Sequence, residues 1–128
     1  MKFTGNIIRY DKDHESELIA LLESEPDWNA FVRGEALGAF KAALLSSKTY
    51  IYKSHGEVCG YLRALVDEFG ICVSELYVAP RYRCRGFGRE LLGKLKKAHP
   101  NQSVYVLSDE DGYYEKLGCR RIGSVFEL

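Results

Sequence analysis

The feature that most constrains this chain is a change of hydrophobic period partway along it. Up to residue 46 the apolar residues fall at helical spacing. From Thr49 to Val78 they crowd into short β-branched and aromatic runs cut by turn residues. Leu18, Ile19, Leu21 and Leu22 predict a helix over 14–23, with Asp13 as its N-cap and Pro26 as its stop. Leu37, Phe40, Ala43 and Leu44 predict a second helix over 35–46. A short first strand precedes both, at 6–10. After the switch, 49–53 and 58–66 read as a hairpin joined through Ser54-His55-Gly56-Glu57. Asp67-Glu68-Phe69-Gly70 turns the chain into a strand over 71–78, and Pro80 ends it because proline donates no ladder hydrogen bond. Helical spacing returns over 86–98, with Leu91, Leu92, Leu95 and Ala98 on one side, until Pro100-Asn101. A strand at 103–107, a short helix at 110–117 closed by Gly118, and a terminal strand or hairpin at 120–126 complete the order. That order, β-α-α-β-β-β-α-β-α-β, implies a mixed α/β sheet with helices on both faces.

With 128 residues the chain is one domain, residues 1–128, able to bury a core. No apolar run approaches the roughly 20 residues of a membrane helix. Met1-Lys2-Phe3-Thr4-Gly5 lacks the features of a signal peptide, so a cytoplasmic chain without a membrane partner is expected. Cys59, Cys72, Cys84 and Cys119 form no C-x-x-C pair, and His14, His55 and His99 are scattered. Free thiols and no metal are therefore expected. The net charge is zero, but it is unevenly spread. Residues 11–27 hold seven acids and one lysine, and residues 81–97 hold seven bases and one acid. A nucleic-acid-binding domain is usually basic throughout. A local basic stretch suits a compact polyanion better, so no nucleic-acid partner is expected. Its bland alternative is a solvated helix face.

The basic stretch opens on Leu76-Tyr77-Val78-Ala79-Pro80-Arg81-Tyr82-Arg83-Cys84-Arg85-Gly86-Phe87-Gly88-Arg89, where a strand ends and two glycines start a helix. Glycine admits close backbone approach. The first helical turn presents N–H groups with no internal partner. Together they form an anion cradle. A helix terminus supplies about 0.3–2 kcal/mol, whereas micromolar affinity needs about 8. The turn can therefore orient a pyrophosphate but cannot hold a cofactor alone. Without a ligand the same residues make an ordinary tight turn. No Walker loop is present, and Leu91 stands where a dinucleotide fingerprint has its third glycine.

This stretch resembles motif A of the GNAT superfamily of acyl-CoA-dependent N-acyltransferases, with Arg83, Gly86 and Gly88 at its fixed positions. Asp111-Gly112-Tyr113-Tyr114-Glu115-Lys116-Leu117-Gly118-Cys119 resembles the Phe-Tyr-Glu-Lys-Leu-Gly-Phe signature of the family's motif B, in the right order and separation. Cys119 replaces the final aromatic, and Leu107-Ser108-Asp109 stands where an asparagine is common. The resemblance implies a GNAT-type mixed sheet, splayed between its fourth and fifth strands, with acetyl-CoA in the gap and helices on both faces. It implies that the backbone of Leu76, Tyr77 and Val78 pairs with the pantetheine arm. It also implies that amides of Arg83, Cys84, Arg85, Gly86, Phe87, Gly88 and Arg89 hold the pyrophosphate, and that Tyr114 lies near the thioester sulfur.

The implied reaction is acetyl transfer by direct attack of a primary amine, carried by a small molecule or a protein. An amine with a pKa of about 10.4 is only about 0.04% neutral at pH 7, a cost of about 4.6 kcal/mol. Tyr114 can serve as general acid to the leaving thiolate; its alternative is a core aromatic. Glu75 can take the ammonium proton; its alternative is a salt-bridged strand residue, with ordered water as base. The resemblance implies that the linker Glu25-Pro26-Asp27-Trp28-Asn29-Ala30-Phe31 borders the acceptor site, with Asp27, Trp28 and Phe31 as candidate contacts, and acids beside Trp28 suit a cationic amine. Packing alone is the alternative for Trp28. Cys84, between two arginines at a helix start, is a candidate oxidation-sensitive thiol. A non-catalytic acyl-CoA-binding domain and a nucleic-acid module over 81–97 are the competing functions. Homodimerisation is left open.

Overall fold

The structure, a computed structural model, describes residues 5–128; the signal-peptide reading of Met1 to Thr4 lies outside them. Five strands form one open sheet in the order β1-β2-β3-β4-β5. They are β1 (Asn6–Arg9), β2 (Lys48–Ser54), β3 (Glu57–Val66), β4 (Ile71–Val78) and β5 (Val104–Val106). The first four pair antiparallel, and β5 joins β4 in parallel. The helices are α1 (Glu15–Glu23), α2 (Gly34–Ser46), α3 (Phe87–Ala98) and α4 (Asp111–Lys116).

β2 and β3 are buried on both faces, which is why their sequences run apolar without strict alternation. On one face, Leu18 and Leu22 of α1 and Phe40 and Leu44 of α2 pack on Ile51, Val58, Tyr61 and Tyr77. On the other, Phe87, Leu91 and Leu95 of α3 pack on Tyr50, Tyr52, Leu62, Ile71 and Val73. The expected mixed sheet with helices on both faces is therefore present. The Val58 N–H donates to Glu17 Oε2 at 2.7 Å and ties α1 to β3.

Two expectations are corrected. Asp13 does not cap α1. A 3-10 turn over Lys12–His14 leads into that helix, and Asp11 caps the turn. The Asp11 side chain accepts the Asp13 N–H at 2.8 Å, and its own N–H donates to His14 Nδ1 at 3.1 Å. The expected strand at 120–126 is also not formed; residues 119–128 run irregularly and exposed. Ile122, Val125 and Phe126 do not share one period-2 face, and Gly123 interrupts them.

Candidate active site

β4 carries the site because its pairing changes midway. Arg63 of β3 pairs with Glu75, but the next β3 residue, Ala64, pairs with Val73, leaving Ser74 as an extra bulged residue. The bulge reverses the alternation. Ile71 and Val73 face α3 before it, Leu76 and Val78 face α3 after it, and Tyr77 turns to the α1/α2 side. Pairing with β5 stops at the same place. Only Ile71, Cys72 and Val73 have β5 partners, and the Leu107 N–H makes a last bond to the Val73 carbonyl at 2.9 Å. From Ser74 to Val78 no strand pairs with that edge of β4 among the described residues, which is the expected splay.

The Ala79 N–H donates to the Cys59 carbonyl at 2.7 Å, so residue 79 faces β3. By alternation residue 77 does too, while Leu76 and Val78 direct their backbone groups into the gap. This corrects the expectation for Tyr77: its backbone belongs to the sheet, and only its side chain can serve a site.

Beyond Val78 the chain makes a 3-10 turn over Pro80–Tyr82 and then the loop into α3. Cys84 and Gly86 have positive φ, 63° and 84°, and Gly86 stands just before the helix. The backbone N–H groups from Cys84 to Arg89 donate to no acceptor among the described residues; Glu90 is the first to bond back, to the Gly86 carbonyl at 3.0 Å. These free donors and the open edge of β4 border the same gap. They fit an extended chain ending in a pyrophosphate.

The two glycines serve different needs. A Cβ on Gly86 would touch nothing, so its requirement is the left-handed backbone. A side chain on Gly88 would collide with the Tyr113 hydroxyl and meet Leu76. Gly88 is small because α4 packs there. Phe87 locks the helix start: its ring stacks on Tyr52 at 4.1 Å, and Tyr52 donates to Glu90 Oε2 at 2.9 Å. The basic run is not one face. Arg81 pairs with Glu57 at 2.6 Å, Arg85 lies over the Tyr82 ring, and Arg83 turns back toward β4.

On the α1/α2 side lies an aromatic wall. Trp28 meets Tyr77 edge-on at 5.1 Å, Tyr61 at 6.1 Å and Phe31 at 5.8 Å. Asp27 beside it is exposed. Glu25, two residues earlier, accepts the Tyr77 hydroxyl at 2.9 Å and lies 3.4 Å from Arg83 Nη2. Arg83 also donates through Nε to the Val78 carbonyl at 2.8 Å. Burial, and then the bond to Glu25, push the Tyr77 phenol above its ordinary pKa.

Glu75 is engaged. Arg63 holds both its oxygens, Nε to Oε1 and Nη2 to Oε2, each at 2.7 Å, and Tyr61 donates to Oε1 at 3.2 Å. Ser47 and Ser74 accept two further Arg63 donors at 2.9 Å. Tyr114 is half-buried on α4, edge-on to Tyr113 at 5.1 Å. Burial first, and then Asp109, raise its pKa, so it is protonated at neutral pH.

Sequence reasoning missed Arg63, and it placed Glu25 among the acids beside Trp28 without its contact to Arg83. For Arg63 a signal existed: one cation inside the apolar run Gly60-Tyr61-Leu62-Arg63-Ala64, and one anion, Glu75, in the next strand. For the Glu25–Arg83 contact there was none, because the two are 58 residues apart.

A family model described as "Acetyltransferase (GNAT) domain" matches residues 46–120, which run from the end of α2 through α4. A search of curated proteins gives no match. Among solved structures, a GNAT-family acetyltransferase from Streptococcus pneumoniae superposes with a TM-score of 0.75 at 19% identity, covering 98% of each chain. A ribosomal-protein-alanine N-acetyltransferase from Brucella melitensis biovar Abortus 2308 gives 0.74 at 18%, again over 98% of each. The aminoglycoside N-acetyltransferase AAC(6')-Iy, solved in complex with CoA, gives 0.73 at 14%, covering 100% of this chain and 95% of its own. At these identities the superpositions speak for the fold alone.

Proposed function

The chain belongs to the GNAT acetyltransferase family, and from that premise we propose that it transfers an acetyl group from acetyl-CoA to a primary amine by direct attack. One observation carries the reading: the edge of β4 at Leu76 and Val78 pairs with no strand, and the loop that follows it carries, among the described residues, unpartnered N–H groups at 84–89. The backbone of Leu76 and Val78 holds the pantetheine amides. The amides of Cys84, Arg85, Gly86, Phe87, Gly88 and Arg89 hold the pyrophosphate, with the Arg83 guanidinium as a further anion ligand.

The amine nitrogen forms a bond to the thioester carbonyl carbon, the carbon–sulfur bond breaks, and Tyr114 gives its proton to the departing sulfur. Its raised pKa supports the role by keeping that proton in place, although full transfer to a thiolate is then uphill. Much of the Tyr114 effect is accordingly hydrogen bonding to the developing charge. Glu75 is a poor base because Arg63 occupies both its oxygens. The ammonium proton therefore leaves through water, and Glu75 orients the strand. The acceptor lies against Trp28 and Phe31, with Asp27 and Glu25 supplying negative charge.

The test is thiol release from acetyl-CoA with a panel of amines, beside calorimetric CoA binding. Tyr114→Phe is expected to lower kcat by about 10²–10⁴-fold while CoA affinity changes little. CoA binding without thiol release for any amine would reduce the protein to an acyl-CoA-binding domain. Unchanged kcat in Tyr114→Phe would remove its assigned role.

A further inference from the structure

We infer that Glu25 is the carboxylate that receives a cationic group of the acceptor, and that Arg83 covers it until the acyl-CoA phosphates draw the guanidinium away. The inference rests on the acetyl-transfer reading and extends it to the class of acceptor. Glu25 lies just beyond α1 with its side chain only 17% exposed, among Tyr77 and the Trp28 wall. A carboxylate so placed is costly unless a cation stands beside it.

In this structure the cation is Arg83, and it marks out a cation-binding position. Its guanidinium faces the Glu25 carboxylate, the Val78 carbonyl and the Tyr77 ring, whose centroid is 5.9 Å away. An anion, a neutral acceptor oxygen and an aromatic face are what an ammonium group requires.

Arg83 grips Glu25 loosely, its short bond being the one to the Val78 carbonyl at 2.8 Å. It touches the carboxylate through one nitrogen at 3.4 Å, and its side chain is 51% exposed. It also begins the loop whose free N–H groups suit a pyrophosphate. A phosphate can take a guanidinium bidentately, which is stronger than the single contact to Glu25. When Arg83 turns to the phosphate, Glu25 loses its cation and the Val78 carbonyl opens. Donor and acceptor sites then share one switchable residue, and each ligand raises affinity for the other by the same factor.

The chemistry narrows the acceptor further. An ammonium held by Glu25 stays protonated and cannot be the nucleophile. The acceptor therefore carries two basic nitrogens, one bound as a cation and one that reacts.

Trp28 is the sole tryptophan and borders the site, so its fluorescence reports occupancy. The wild-type protein is titrated with 1,4-diaminobutane with and without saturating CoA. The diamine Kd is expected to fall about tenfold or more with CoA, within the usual ~5–150-fold range of coupling. By calorimetry the CoA Kd should fall by the same factor when diamine is saturating. Arg83→Ala should bind diamine without CoA as tightly as the CoA-loaded wild type. Glu25→Gln should lose the CoA-dependent gain while still binding CoA. Equal diamine affinity with and without CoA, no saturation in either state, or full enhancement in Glu25→Gln would each overturn the inference. CoA binding without coupling overturns this inference alone, whereas failure to bind CoA overturns the proposed function with it. The wild-type titrations decide the matter even if a variant does not fold.

Discussion

Two arginine–glutamate pairs meet at β4, and they are built in opposite ways. Arg63 and Glu75 face each other from neighbouring strands, joined by two bonds of 2.7 Å, with side chains 16% and 9% exposed. Tyr61 also donates to Glu75, and Ser47 and Ser74 accept further Arg63 donors. Arg83 and Glu25 come from a loop and a helix end, share one contact of 3.4 Å, and leave Arg83 half in water. The difference teaches how a fold divides identical chemistry. A pair joined by two short bonds, with further partners for each side chain, belongs to the scaffold. A pair with a single contact, beside other anion donors, can exchange partners.

The largest expected effect tests the scaffold pair. Arg63→Met leaves Glu75 buried beside Tyr61 without its cation. The expected loss is about 3–5 kcal/mol of folding stability, read as a lower urea midpoint at unchanged slope. Adding Glu75→Leu should restore much of it, because two apolar groups leave no charge stranded. Arg83→Met should cost clearly less, about 1 kcal/mol, because Arg83 is half exposed and the Tyr77 hydroxyl still donates to Glu25. Similar losses from the two substitutions would erase the distinction.

This distinction also marks how far the sequence could be read. The change of hydrophobic period located β2, β3, β4, α1, α2 and α3, because burial on a sheet or a helix face leaves a repeat. The cradle was legible because strand, loop and glycines are contiguous. Even the bulge left a trace: apolar positions 71 and 73 give way to 76 and 78, a change of parity across Ser74. What failed depended on tertiary partners. The Asp11 cap needed the 3-10 turn, which has no sequence period of its own. Residues 120–126 looked strand-like by composition, yet composition supplies no neighbouring strand. Tyr77 lay within the cofactor segment by position, but alternation turns its backbone to β3. Glu75 left base and salt-bridged strand residue both open, because its partner Arg63 stands across the ladder on another strand.

The middle effect probes why Arg83 sits on a loop at all. Arg63 is fixed by strand register, whereas Arg83 precedes a turn set by positive φ at Cys84 and Gly86. Gly86→Val forces a β-branched residue into a left-handed conformation at a cost of at least about 1–2 kcal/mol. It should distort the cradle and lower CoA affinity by more than tenfold. Gly86→Asn, which tolerates that conformation better, should retain CoA binding within about tenfold. Since a Cβ at Gly86 meets nothing, crowding cannot explain such a contrast. Folded Gly86→Val protein with wild-type CoA affinity would sink the cradle assignment.

The smallest effect concerns the other strained residue of that loop. Cys84 is exposed and adopts φ of 63° without being glycine. A left-handed non-glycine residue costs about 1–2 kcal/mol, and such strain persists where the surroundings impose it, often at binding sites. Cys84→Gly removes the strain but gives the unfolded chain more freedom, worth about 0.4–1 kcal/mol against it. The expected net gain is therefore about 0–1.6 kcal/mol, seen as a slightly higher urea midpoint. CoA affinity should move the other way, falling a few-fold, because a freer loop must be ordered on binding. If Cys84→Gly were less stable than wild type, the backbone at residue 84 would not be strained. The loose Arg83 contact would then have to be explained by the side chain alone.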